Sequence, residues 1–203
     1  IRAQTVSALH AEQGITTPDL PQVSCTGAQE ACLQAPDGGR PELAAADLAA
    51  IVTFMRTVPV SRRVGLEAPA VQRGAAVFLD AGCAACHVPV LHTGSRAPLP
   101  VLANQRIHPF TDLLLHDMGP GLADGRQDHG ASGSEWRTPP LWGLGLTAAQ
   151  LRSEELSLLH DGRAASIEEA ILWHGGEAAP SRDRFIAAGA GDRAALLAFL
   201  RSL

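Results

Sequence analysis

Cys83, Ala84, Ala85, Cys86 and His87 form a Cys-x-x-Cys-His run. Two thiols at this spacing, followed at once by an imidazole, suit one chemistry above others. The thiols add across the two vinyl groups of a haem, and the adjoining His sits under the iron as its proximal ligand. Two rival readings share part of the pattern. A redox Cys-x-x-Cys of thioredoxin type expects a preceding strand, and the residues before Cys83 read as a helix. A zinc site needs a second ligand pair at metal spacing, whereas Cys25 and Cys32 have six residues between them and stand far upstream. The run therefore predicts one covalently attached haem c, held by Cys83, Cys86 and His87.

A six-coordinate iron needs one more donor, and soft thioether or neutral imidazole would serve. His174 leads the candidates. It lies at i+7 from Ile167, on the helix face that carries Ala170 and Ile171. A His on such a face is more often a hydrogen-bonded core residue, but an open iron site raises the odds of ligation to about even. Met118, in the His116-Asp117-Met118-Gly119-Pro120 loop, is the alternative sixth ligand, and His160 comes third. His92, His108 and His129 fall in loops and read as solvated. Met55 reads as core on the buried face of a helix. The chain has no Tyr, which removes that class of ligand.

These residues need elements to hold them. Residues 1–40, rich in Pro and Gly, read as irregular. A helix is predicted over 42–58 from the spacing of Leu48, Ile51, Val52 and Met55, stopped by Pro59. A second over 69–82 starts at Pro69 and leads into Cys83, and its Gly74 and Phe78 suit a close crossing with the last helix, where Phe78 would meet Phe199. Short helical pieces are expected near 110–116 and 147–159. Ser166 and Glu169 form a capping box for the helix that ends at Gly175 and Gly176. The last helix begins at Asp192. No segment shows sustained period-two alternation, so the expected fold class is all-α, with an irregular N-terminal extension. Asp47–Val58 aligns without gaps on Asp192–Leu203. A coinciding cap and register favour a duplicated domain end over two similar amphipathic helices.

Composition narrows the function. The 203 residues are 46% apolar with a net charge of −5 and no charged runs, enough for a real core and without the basic stripe that nucleic acid requires. No apolar stretch approaches a membrane span, and no signal peptide is visible. Thioether attachment of haem belongs to an oxidising compartment, so a periplasmic location is expected. In that setting Cys25 and Cys32 are expected to form a disulfide that pins a loose segment by about 2–3 kcal/mol, against the alternative of two buried thiols.

The chain resembles the dihaem oxidoreductases related to bacterial dihaem cytochrome c peroxidase and the methylamine-utilisation dihaem enzyme. Four segments carry the likeness: Gly82–His87, Pro109–Gly119, Arg137–Trp142, and His160–Arg163 followed by Ile167–Ile171. Their order is similar to that of the C-terminal haem domain of the group. The resemblance implies a c-type cytochrome fold for residues 61–203, with residues 1–60 as the linker and terminal helix of a preceding haem domain. The group's sixth ligand is Met or Tyr, and the matching position here is His174, which implies bis-His ligation. The group carries two haems, whereas this chain has one Cys-x-x-Cys-His. The implied role is electron relay to a second haem in a peroxidase-type oxidoreductase, its partner being that preceding haem domain or a redox partner protein. Trp142 is a candidate on the electron path, or a core aromatic beside Pro139 and Pro140. The alternatives are a stand-alone monohaem electron carrier and, less favoured, a sensor whose His174 is displaced by a diatomic.

Overall fold

The computed structural model describes residues 1–147, 150 and 156–203. The chain forms two compact units, Ile1–Pro59 and Val60–Leu203. Among the described residues no helix is long and apolar enough to cross a membrane.

The first unit holds α1 (Arg2–Gln13), the short α2 (Glu30–Leu33) and α3 (Ala45–Thr57). Helix α1 corrects the reading of residues 1–40 as wholly irregular. It ends at Gly14, whose left-handed backbone satisfies a terminal carbonyl. Val6, Leu48 and Val52 make a small core, with Leu9, Leu20 and Leu43 around it. Glu42 and Thr16 tie the entry of α3 to the end of α1. The Thr16 N–H and hydroxyl donate to the Glu42 carboxylate at 2.9 and 3.0 Å, and the Glu42 N–H donates to Thr16 Oγ1 at 2.9 Å. Cys25 and Cys32 form a disulfide.

The second unit is built on the crossing of α4 (Pro69–Asp80) with α7 (Ala190–Arg201). Pro69 at the first turn of α4 supplies a preset φ where no N–H is needed. Gly74 lets the helix backbones touch. A Cβ there would overlap the Ala195 carbonyl and come within 2.6 Å of the Phe199 Cβ. Phe78, Phe110 and Phe199 stack edge-on around the crossing with ring centres 5.3–5.9 Å apart. Val71, Ile167, Phe185, Leu196, Leu200 and Leu203 complete the core. Between these helices lie α5 (Ile167–Trp173) and α6 (Ala179–Ala187), the latter not anticipated. Ser166 caps α5 by accepting from the Glu169 N–H at 3.1 Å, and the Glu169 carboxylate accepts from the Ala165 N–H.

The all-α expectation is overturned. The described residues are 42% helical and carry two small antiparallel sheets: β1 (Leu91–His92) with β2 (Arg106–Ile107), and β3 (Leu115–Asp117) with β4 (Glu135–Arg137). It is a mixed α/β structure with irregular loops. Strands of two or three residues are too short to show alternation, so they left no periodic trace. The helix expected near 110–116 is replaced by a turn running into β3. Most of the one expected near 147–159 lies outside the described residues.

The two repeat segments fold as α3 and α7 but bury different faces. In α7, Ala195, Leu196, Phe199 and Leu200 are buried. Of their matches in α3, Ala50, Phe54 and Met55 are exposed and Ile51 is half-buried. Met55 is therefore not core: it is 49% exposed, because Leu48 and Val52 on the adjoining face meet α1 instead.

Substituting Gly74 by Ala should destabilise the second unit by about 1–3 kcal/mol, since the added methyl forces two helix backbones apart. A lower urea midpoint is expected. An unchanged midpoint would contradict the crossing described.

Candidate functional site

Helix α4 ends at Asp80, and Gly82, with a left-handed backbone, turns the chain into the single 3-10 turn Cys83–Ala85. The His87 N–H donates to the Cys83 carbonyl at 2.9 Å, which sets the imidazole directly after the turn. His87 Nδ1 donates to the Phe110 carbonyl at 3.0 Å. Phe110 adopts a positive φ of 54°. That conformation is uncommon for an aromatic residue, and here the ring enters the helix crossing while the carbonyl reaches His87. A carbonyl only accepts, so the proton is fixed on Nδ1 and the Nε2 lone pair is free.

His174 caps the C-terminus of α5. Its Nδ1 donates to the Ala170 carbonyl at 2.7 Å, so its Nε2 is free as well. The two imidazoles lie near each other, with ring centres 6.5 Å apart and planes inclined by 46°. Burial drives the pKa of His87 down to about 4, outweighing the Phe110 carbonyl, and burial lowers that of His174 too. Both rings are neutral donors across the physiological range. Burial also raises the Cys83 thiol to about 11, and the Cys86 thiol upward with help from the charges of Asp112 and Glu177. A thioredoxin-type pair needs the opposite, a thiol with a depressed pKa.

These residues fit a haem iron. Two iron–nitrogen bonds of about 2 Å, each added to an offset of roughly 1 Å from Nε2 to its ring centre, put axial imidazoles about 6 Å apart. Each ring has the backbone partner typical of a metal-bound His.

His160 stacks on Trp136 at 3.6 Å between ring centres. His92, His108 and His129 are exposed. Met118 is half-buried, its N–H donating to the Ser134 carbonyl and its own carbonyl lying against Gly175. Trp142 is half-buried in the turn after Pro140.

One cluster was not foreseen. The donor atoms of Cys86, Asp112 and His116 lie within 4.8 Å of one another. The His116 ring is already committed. Its Nε2 bonds to Asp112 at 2.8 Å and its Nδ1 to Glu177 at 2.9 Å. The Glu177 bond, then the Asp112 bond, raises the His116 pKa, and with both ring nitrogens on carboxylates neither is left for a metal. The i, i+4 spacing of Asp112 and His116 was the only sequence trace of this cluster. Neither Glu177 nor the Phe110 carbonyl carried a signal.

No curated protein matches the chain. In solved structures the chain is similar to Kuenenia stuttgartiensis hydrazine synthase pressurised with 20 bar xenon, at 18% identity and a TM-score of 0.50, over 78% of this chain. The chain spans about half the length of that relative, 55%. At this identity the likeness concerns fold alone. Over its whole length, residues 1–203, the chain matches the family model described as "Di-haem oxidoreductase, putative peroxidase", and it belongs to that family.

Proposed function

We propose that the second unit holds one haem c, attached through Cys83 and Cys86 and ligated by His87 and His174, and passes electrons to a second haem in a peroxidase-type oxidoreductase. The observation that carries this reading is the pair of imidazoles with ring centres 6.5 Å apart, each with Nδ1 on a backbone carbonyl and Nε2 without a hydrogen-bond partner among the described residues. The family membership supplies haem as the cofactor class. When bound, the haem supplies one-electron chemistry at iron. The chain's own residues do the rest. Cys83 and Cys86 would anchor it, His87 and His174 would ligate its iron, and the carbonyls of Phe110 and Ala170 hold the two rings. An iron held by both imidazoles would offer no open position to a peroxide, which favours relay over peroxide reduction in this unit.

A di-haem family and a single Cys-x-x-Cys-His support a second haem beyond these 203 residues. The first unit supports its being part of a preceding haem domain. Helix α3 repeats the pattern of α7, yet the face matching the one α7 turns toward α4 is exposed, with Phe54 and Met55 uncovered. The Cys25–Cys32 disulfide supports an oxidising, periplasmic location. A stand-alone monohaem carrier is the competing reading, and a haem-stained denaturing gel of the native polypeptide separates them: two haems support relay within an enzyme, one supports the carrier.

Replacing Cys83 and Cys86 by Ala should abolish haem staining after denaturing electrophoresis, and retained stain would refute covalent attachment. His174→Ala should keep the haem, turn the ferric spectrum toward high spin and admit cyanide, whereas Met118→Ala should do neither.

Acid should also act on the haem-free Cys83→Ala/Cys86→Ala double variant. His87 and His174 have folded pKa values below the ordinary 6.5. As pH falls below 6.5 the unfolded chain takes up protons first, so stability is lost toward the folded pKa, about 4 for His87. Urea midpoints should fall on acidification between pH 6.5 and about 5, less steeply when both His are Gln. Equal slopes would contradict the assignment.

A further inference from the structure

The turn that carries His174 is held from outside the haem site. After His174, Gly175 and Gly176 lie backbone against backbone on the segment that follows β3. A Cβ on Gly176 would overlap the Asp117 carbonyl, one on Gly175 would come within 2.8 Å of the Met118 carbonyl, and one on Gly119 within 2.8 Å of the Gly176 nitrogen. This contact brings Glu177 beside β3. One Glu177 oxygen accepts from the Asp117 N–H at 3.0 Å, and the other accepts from His116 Nδ1 at 2.9 Å.

The chain of bonds continues toward the other ligand. His116 Nε2 donates to Asp112 at 2.8 Å, and Asp112 also accepts the Leu114 N–H at 2.9 Å. Asp112 stands two residues after Phe110, whose carbonyl holds His87. Thr111 between them is fully buried and donates to the Thr138 carbonyl at 2.7 Å, so this end is rigidly seated. The order Phe110, Asp112, His116, Glu177, His174 therefore joins the support of one imidazole to the support of the other.

Resting on the haem reading above, we propose that Glu177 is a positioning residue for the distal ligand. Through His116 and Asp112 it fixes the His174 turn at the distance from His87 at which both imidazoles reach one iron. The Glu177 hydrogen bonds run to His116 and Asp117 rather than to His87 or His174. Glu177 acts on a turn of two glycines, which has little stiffness of its own. Its bond to His116 joins a carboxylate to a ring N–H, and charge-assisted hydrogen bonds are the stronger class. Groups that orient a metal ligand from behind change metal affinity or activity by about 10–100-fold when removed.

The test uses the haem-loaded protein. The Glu177 side chain is 56% exposed, so its replacement leaves the core intact. Glu177→Ala should bind cyanide about tenfold faster or more and gain a high-spin component, with haem content and thermal midpoint near those of the wild type. Glu177→Gln keeps an acceptor for the Asp117 N–H and a polar contact for His116, and should return the rate most of the way. An unaltered spectrum and cyanide rate in Glu177→Ala, or a lowered thermal midpoint without a change of spin state, would overturn the proposal. The wild-type spectrum separates the two levels. A high-spin wild type removes the bis-His reading and this inference with it, whereas a low-spin wild type with a silent Glu177→Ala removes this inference alone.

Discussion

Two hydrogen bonds from imidazole Nδ1 to backbone carbonyls carry the site: His87 to Phe110 and His174 to Ala170. Each does three things at once. It satisfies a polar atom that would be costly to leave bare in a partly buried place. It fixes the tautomer, so the lone pair is on Nε2. It also makes the ring's orientation a property of the main chain, which changes less readily than a side-chain rotamer. For His174 the carbonyl belongs to its own helix, one turn back. For His87 it belongs to a residue in a left-handed conformation, and the cost of that conformation is met by packing the Phe110 ring against Phe78 and Phe199.

That packing links the site to the helix crossing. Gly74 permits contact between α4 and α7, the contact places Phe78 and Phe199 where Phe110 can join them, and Phe110 then meets His87. The same helix α4 delivers Cys83 and Cys86 one turn beyond its end. The placing of Cys83, Cys86 and His87 and the core of the second unit thus depend on one small residue and three aromatic rings.

Much of this was legible in the sequence where the governing interactions are local. The Cys-x-x-Cys-His run, the Ser166 cap, the Gly74–Phe78 spacing and the place of His174 ahead of two glycines all act within one or two helical turns. What was not legible depends on distant partners. Nothing near Glu177 marks it as a neighbour of His116, and nothing near Phe110 marks its carbonyl as a ligand's support. The two sheets were missed because strands of two or three residues are stabilised by their loops and partners rather than by their own pattern. Helix α1, with a weakly amphipathic sequence and one buried residue, Val6, gave little periodic signal. Met55 was misread because α3 has two apolar stripes, and only the one with Leu48 and Val52 is used within its unit.

X-ray absorption at the iron edge of the ferric, haem-loaded protein reports the atoms that ligate the iron. Bis-His ligation by His87 and His174 would appear as nitrogen donors with the multiple-scattering pattern of two imidazole rings and no sulfur neighbour. A sulfur shell, as Met118 would give, or a single imidazole on a five-coordinate iron, would contradict it.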